Sequence, residues 1–288
     1  MNKKQQTGLI LEGGAMRGIY TAGVLDVFME QRLAFDAVFG VSAGAIHGCS
    51  FVSGQQGRSI RYYKKYCTDK RFLSFSNLIR TGDLVDEQFC YHDIPERLDP
   101  YDYEAFLKSD TKFYSVVTNV ETGEAEYLQI TDMFQQIHAM RASASMPYVS
   151  RIVNYEGRKL LDGGCADSIP VAAAKEMGYQ KRVVVLTRQE GYQKKPENTR
   201  LAKIMYRKYP HFVQTIRKRH LVYNQTQQLI REQEATGELF VIRPSKKLTI
   251  GRMSHNLEEI QETYELGKHD AQEKLPKLRE WLCFQQDI

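Results

Sequence analysis

Apolar residues fall along this chain in two spacings. Thr7 to Glu12, Phe35 to Val41 and Val183 to Leu186 are short runs with few interruptions, as buried strands require. Between the first two, Ile19 to Leu33 carries Val24, Leu25, Val27 and Phe28 at helical spacing behind a glycine-rich turn, Gly13 to Gly18. Ala43 to Val52, small and apolar, follows the second strand as a buried helix. The first fifty residues therefore predict strand, helix, strand, helix, the two strands being parallel neighbours with a right-handed crossover.

Further on, Lys112 to Val120 and Glu126 to Ile130 alternate as strands around a hairpin turn at Glu121-Thr122-Gly123-Glu124. Thr131 to Ala144 predicts a helix that must finish before Pro147. Arg151 to Leu161, broken at Glu156-Gly157, reads as a second hairpin, ended by Asp162-Gly163-Gly164. A short helix over Val171 to Met177 leads to Val183 to Leu186, a central strand covered on both faces. Helices over Thr199 to Tyr209 and Phe212 to Glu234, a strand over Leu239 to Ile242 and a helix over Leu257 to Leu282, with Pro276 as its point of kinking, complete the chain. Arg58 to Leu107, aromatic and charged with weak periodicity, predicts mixed helix and loop. No repeat or linker divides the sequence, so one α/β domain is expected over residues 1–288, its motifs within 8–186 and a helical and strand extension over 187–288.

Of the 288 residues, 42% are apolar and 26% charged, enough apolar material to exclude a largely disordered chain. No run approaches the roughly 18 apolar residues of a spanning helix, and the polar start, Met1 to Gly8, leads into only Leu9, Ile10 and Leu11. Neither a membrane span nor a secretory leader is expected. Five cysteines, Cys49, Cys67, Cys90, Cys165 and Cys283, form no C-x-x-C pair and have no histidine at metal spacing, which predicts a cytoplasmic protein without metal or cofactor. The net charge of +5 is unevenly placed: Lys175 to Arg219 holds 13 Lys or Arg against 3 Asp or Glu, a charge of +10 that leaves −5 on the rest. Interleaved with Tyr192, Tyr206, Tyr209 and Phe212, this basic stripe suits peripheral contact with an anionic membrane, at the inner face. A solvated pair of helices with snorkelling lysines is the plainer reading. No nucleic-acid motif accompanies the charge, and no nucleic-acid partner is expected.

Three short segments carry chemistry. Gly40-Val41-Ser42-Ala43-Gly44 is a G-x-S-x-G pattern between an apolar strand and a helix of small residues, the setting of a nucleophile elbow; the alternative is a tight turn in which Ser42 caps the helix. Gly13-Gly14-Ala15-Met16-Arg17-Gly18 ends the first strand, and its backbone N–H groups at a helix start can stabilise an oxyanion. A dinucleotide site would need a third-position glycine where Ala15 stands, and an acidic residue at the second strand's end, whereas Asp36 falls ahead of that end. Arg17 is suited to steadying the loop, to meeting an anionic headgroup, or to a solvated place at the helix start. Asp162-Gly163-Gly164 supplies a carboxylate at a strand end that can approach another loop closely, although D-G-G alone is a common turn. A Ser-Asp-His triad would draw its base from His211, His220, His255 or His269, all in or beside helical patterns; His47, five residues past Ser42, reads as a packing residue.

Taken in order, the three segments resemble a patatin-like phospholipase. That family has a G-G-G-x-R/K-G loop after its first strand, a G-x-S-x-G elbow after its second, and a D-G-G or D-G-A motif more than a hundred residues later. Arg141-Ala142-Ser143-Ala144-Ser145-Met146-Pro147 also resembles the stretch before the family's aspartate. The similarity covers Gly8 to Leu186 and continues more weakly beyond, with Ala15 in place of the third glycine, where a positive φ would be strained. The resemblance implies a three-layer α/β fold with a mostly parallel sheet flanked by helices. It implies a serine acyl hydrolase acting on phospholipid or other acyl esters, with Ser42 as nucleophile, Asp162 as base, and an oxyanion loop of Gly13, Gly14, Ala15, Arg17 and Gly18. Gly40 and Gly44 would shape the elbow, and Gly163 and Gly164 the aspartate loop. The competing expectation is a lipid-binding or regulatory protein with the same fold and little turnover.

Overall fold

The computed structural model describes residues 5–283. The part of the polar start before Gln5 lies outside the described residues.

The first unit forms as the apolar spacing predicts: β1 (Thr7–Leu11), α1 (Gly18–Glu30), β2 (Ala37–Val41) and α2 (Ala43–Val52). The weakly periodic middle becomes α3 (Arg58–Tyr66), α4 (Phe75–Thr81), a π-helical turn over Phe89–Leu98 and α5 (Tyr103–Leu107). Pro95 lies inside the π-helical segment, and such wide turns do not repeat at 3.6 residues, which explains the faint periodicity. Then come β3 (Lys112–Asn119), β4 (Ala125–Ile130), α6 (Ile137–Ala144), β5 (Val153–Tyr155), β6 (Arg158–Asp162), α7 (Val171–Glu176) and β7 (Lys181–Val185). The C-terminal part adds α8 (Arg200–Met205), α9 (Pro210–Ala235), β8 (Leu239–Ile242) and α10 (Leu257–Cys283), which runs on through Pro276.

Two helices are shorter than the spacing predicts. α6 begins at Ile137 because the Gln136 side chain accepts the amides of Thr131 and Asp132 at 2.8 and 3.0 Å, closing a turn in place of the first helical one. α8 stops at Met205, and Tyr206 to Tyr209 turn towards α9.

The strands form one sheet with the path β5-β6-β3-β2-β1-β7-β8, and β4 pairs with β3 off that path. β1, β2, β3, β7 and β8 are parallel, while β4 and β6 run antiparallel to β3. Alternation along the strands sorts side chains to two faces. Leu9, Leu11, Val183 and Val185 pack with α1, α2 and α10, whereas Ile10, Phe39 and Val184 pack with α7 and α9. The result is three layers, helix on sheet on helix, as expected. The last helix is tied to the first by two buried hydrogen bonds, Tyr20 to Asp270 at 3.0 Å and Tyr264 to Asp26 at 2.6 Å. No helix among the described residues is long and apolar enough to cross a membrane. Cys49, Cys67, Cys90 and Cys165 are free thiols.

Candidate active site

The register of β3 brings the site together. β4 fills one edge of β3, pairing from Phe113 to Thr118. The other edge is shared: β2 lies beside Lys112 to Val116, and β6 beside Val117 to Asn119 in the opposite sense. Val41 therefore pairs with Val116 and Asp162 with Val117, so the C-terminal ends of two oppositely directed strands abut on one edge. Ser42 follows Val41, and its side chain lines the same cavity as the Asp162 carboxyl, near enough to lower the pKa of that carboxyl. Both side chains are buried, at 6% and 5% exposure.

Ser42 has φ +54° and ψ −121° and makes no side-chain hydrogen bond to the helix it opens, so it is not a capping residue. A serine at positive φ costs of order 1–3 kcal/mol and persists only where neighbours enforce it. They do. Its amide donates to the Ser143 hydroxyl at 2.9 Å, which in turn donates to the Val116 carbonyl at 2.6 Å. A Cβ on Gly40 would lie 2.4 Å from Cα of Ala45, and one on Gly44 would lie 2.4 Å from the Leu11 carbonyl oxygen, so only glycines let the elbow close on itself and on β1.

The loop after β1 sits against the elbow. Gly13 and Gly14 precede a short 3-10 turn over Ala15–Arg17, and Gly18 opens α1 in contact with Ala43. Ala15 has φ +49°, the strained conformation anticipated for this departure from the family pattern. Among the described residues, no acceptor takes the Gly13 or Gly14 amide. Arg17 is not solvated: it is 8% exposed, and its Nε has no hydrogen-bond partner. Asp36, the acidic residue weighed for a nucleotide, is tied to the far end of β1 through the Thr7 amide and hydroxyl at 2.6 and 2.8 Å.

Asp162 accepts the Gly164 amide at 2.8 Å, while Gly163 and Gly164 begin a 3-10 turn behind it. Burial raises its pKa above the ordinary carboxylate value, against the opposing pull of the Ser42 hydroxyl, Arg219, the Gly164 amide and Lys194. Arg219 is fixed beside it, its Nε donating to the Gly164 carbonyl at 2.6 Å.

Two cavities meet at Ser42. One is apolar, lined by Ile46, Phe72, Ile94, Met133, Ile137 and Met140. The other is polar and contains Asp162, Gly13, Gly14 and a group of cations. Ala15, Ser42, Met146 and Arg252 line both. Among the described residues, no histidine lines either cavity. His255 faces the Cys67 carbonyl, and His47 is buried against the Ser59 hydroxyl at 3.0 Å, its pKa pushed down to about 3 by burial. The triad alternative thus has no histidine lining the cavities that hold Ser42, among the described residues. His269, Asp270 and Glu273 lie close enough together on α10 to hold a metal ion, but Asp270 already accepts the Tyr20 hydroxyl and the Ser245 amide.

The basic stripe does not form one surface. Lys175 pairs with Glu238 at 3.0 Å, and Arg182 is buried and donates to the Val171 carbonyl at 3.1 Å. Lys194 and Arg219 turn into the polar cavity, and Arg200, Lys203, Arg207, Lys208, Arg217 and Lys218 stay exposed. Glu12, Arg188 and Tyr223, which no motif marked, also reach this cavity.

These features define a class. The Patatin-like phospholipase family model matches residues 9–175, and the chain belongs to that family. A domain of unknown function matches residues 209–283. The chain is 29% identical over 271 residues to the uncharacterized protein YjjU of Escherichia coli (strain K12), covering 90% of this chain and 74% of that protein. It is 30% identical over 189 residues to lysophospholipase NTE1 of Saccharomyces cerevisiae, covering 61% of this chain and 10% of that protein. It thus spans only a small part of the lysophospholipase. VipD from Legionella pneumophila, a solved structure, aligns over 95% of this chain and 67% of its own at 12% identity, with a TM-score of 0.45.

Proposed function

We propose that this protein is a serine acyl hydrolase that cleaves lipid esters with a Ser42-Asp162 dyad. The observation that carries the proposal is the placement of buried Ser42 and Asp162 in one polar cavity, at abutting strand ends, where that cavity meets an apolar one. An ester with a hydrocarbon chain on one side and a polar group on the other fits that junction, the chain lying along Ile46, Met133 and Met140.

Ser42 Oγ attacks the ester carbonyl carbon while its proton passes to Asp162. The Gly14 and Ala15 amides receive the oxyanion; one such donor is worth roughly 10²- to 10³-fold in rate. Collapse expels the alcohol, which takes the proton back from Asp162. Water, deprotonated by Asp162, then releases the fatty acid and restores Ser42. The pKa of Asp162, raised by burial, makes it a stronger base than an exposed aspartate.

Two short helices support contact with a membrane. α8 exposes Leu201, Ile204 and Met205 beside Lys203, Arg207 and Lys208, and α4 exposes Phe75 and Ile79 one turn apart. Both lead to the polar cavity: the Tyr206 hydroxyl accepts the amide of its lining residue Tyr148 at 2.8 Å, and Leu84 lines it just past α4. The four free thiols suit a reducing, cytoplasmic setting.

Ester turnover by wild type, Ser42→Ala and Asp162→Asn tests the dyad. Both variants should lose at least about 10³-fold in kcat, and a fluorophosphonate should label Ser42. Undiminished turnover in both ends the proposal. A lipid-binding protein with little turnover would bind liposomes and leave Ser42 unlabelled.

A further inference from the structure

The polar cavity holds more positive charge than an ester carbonyl requires. Arg17, Arg188, Lys194, Arg219 and Arg252 line it, against the carboxyls of Glu12, Asp162 and Glu197. Glu12 is already engaged: it accepts the Thr187 amide at 2.5 Å and the Tyr223 hydroxyl at 2.7 Å. None of the five cations has a carboxylate within ion-pair distance among the described residues. Arg17 is more than nine-tenths buried with its Nε unpartnered. Arg188 lies over the Tyr192 ring at 4.2 Å, and the half-buried Lys194 over the Tyr223 ring at 4.2 Å, so each is held by an aromatic face and not by an anion. A buried cation without a partner, as Arg17 is, is costly, and with Arg188 and Lys194 half-buried beside it and Arg252 exposed at the rim the pattern is that of a site completed by a negatively charged ligand.

Resting on the hydrolase reading above, we infer that the leaving-group half of the substrate carries net negative charge: a phosphodiester with no compensating ammonium, held by Arg17, Arg188 and Lys194. A zwitterionic choline headgroup would bring a trimethylammonium into a cavity with five cations and gain less.

Lys194 gives the preference a pH signature. Burial, then Arg219, pushes its pKa down to about 7, with Arg252 and Arg17 adding to this and Glu12 opposing it. The ammonium is present below that pH and lost above it, so preference for the anionic headgroup should weaken as pH rises through about 7.

The test is equilibrium binding to Ser42→Ala protein, which reads the cavity without turnover. Monomeric lysophosphatidylglycerol, lysophosphatidylcholine of the same chain length and inorganic phosphate are titrated by calorimetry at pH 6 and pH 8. The phosphatidylglycerol form should bind roughly tenfold tighter at pH 6, with less preference at pH 8, and Lys194→Gln should remove the pH change. Equal affinity for the two lysolipids at both pH values overturns the proposal. So does binding of inorganic phosphate as tight as that of lysophosphatidylglycerol, which would mark a free-anion site. Turnover of p-nitrophenyl butyrate by wild type against Ser42→Ala reads the hydrolase assignment separately, so failure of one is not mistaken for failure of the other.

Discussion

The amide of Ser42 donates to the hydroxyl of Ser143 at 2.9 Å. Ser143 is fully buried and its hydroxyl donates a hydrogen bond to the Val116 carbonyl, the β3 acceptor at the point where β2 ends. One side chain thus fills the gap between two abutting strands and holds the elbow in its strained conformation. Removing the hydroxyl leaves a buried N–H and a buried carbonyl unpaired, each costing about 1–3 kcal/mol. Ser143→Ala should lower stability by about 2 kcal/mol, and kcat by roughly tenfold or more as Ser42 loses its aim. Denaturant unfolding and steady-state kinetics check both, with KM expected to change little. Wild-type kinetics in a destabilised variant would show that Ser143 supports the fold alone.

The dyad requires ionised Asp162, so activity should fall as pH drops through its pKa, which burial holds above the ordinary 3.8. Arg219 pulls that pKa down. Arg219→Gln should therefore move the acid limb of the kcat/KM profile to higher pH, with the alkaline side less affected. An acid limb that stays in place would mean that the carboxyl does not feel Arg219.

The same burial sets catalysis against stability. Because the folded-state pKa of Asp162 is raised, folding favours its protonated form; the contribution is present at low pH and lost as pH rises through the folded pKa. At neutral pH the ionised carboxylate therefore subtracts from stability. Asp162→Asn keeps the shape without the charge, and should raise Tm at pH 7 while abolishing turnover. A lowered Tm would show that the Arg219 and Gly164 contacts outweigh burial.

What the chain order reveals about the site follows the range of the forces involved. Gly40 is legible because its clash, with Ala45, arises within the tight turn around Ser42; Gly44, whose clash is with Leu11 of β1, is legible only through the G-x-S-x-G pattern. The parallel core is legible because Ile10 and Val184 must be covered on their face as Leu9 and Val183 are on the other. The end-to-end meeting of β2 and β6 is not, because it depends on register along β3 between segments more than a hundred residues apart. Lys194 and Arg219 could be read only as charge. Burial in a cavity opposite Glu12 is decided by how α9 crosses the sheet, and no local pattern distinguishes them from exposed Lys203 or Arg207. Arg17 illustrates the same limit: its place at a helix start suits solvent equally well until the loop folds over it.

Ala15 offers a test of the strain in the oxyanion loop. At φ +49° an alanine costs roughly 1–2 kcal/mol relative to a right-handed conformation, and glycine removes that cost. Glycine also adds about 0.5–1 kcal/mol of chain entropy to the unfolded state, so Ala15→Gly should gain up to about 1 kcal/mol, a rise in Tm of a few degrees. The amides proposed to hold the oxyanion belong to the backbone and survive the change, so kcat/KM should remain within about threefold of wild type. Calorimetry and ester kinetics on the same sample measure both. A fall in Tm would mean that the Ala15 methyl contributes more packing than its backbone conformation costs. A large fall in kcat at unchanged stability would mean that the strained alanine fixes the direction of the Gly14 and Ala15 amides, and that the departure from a third glycine sharpens this loop.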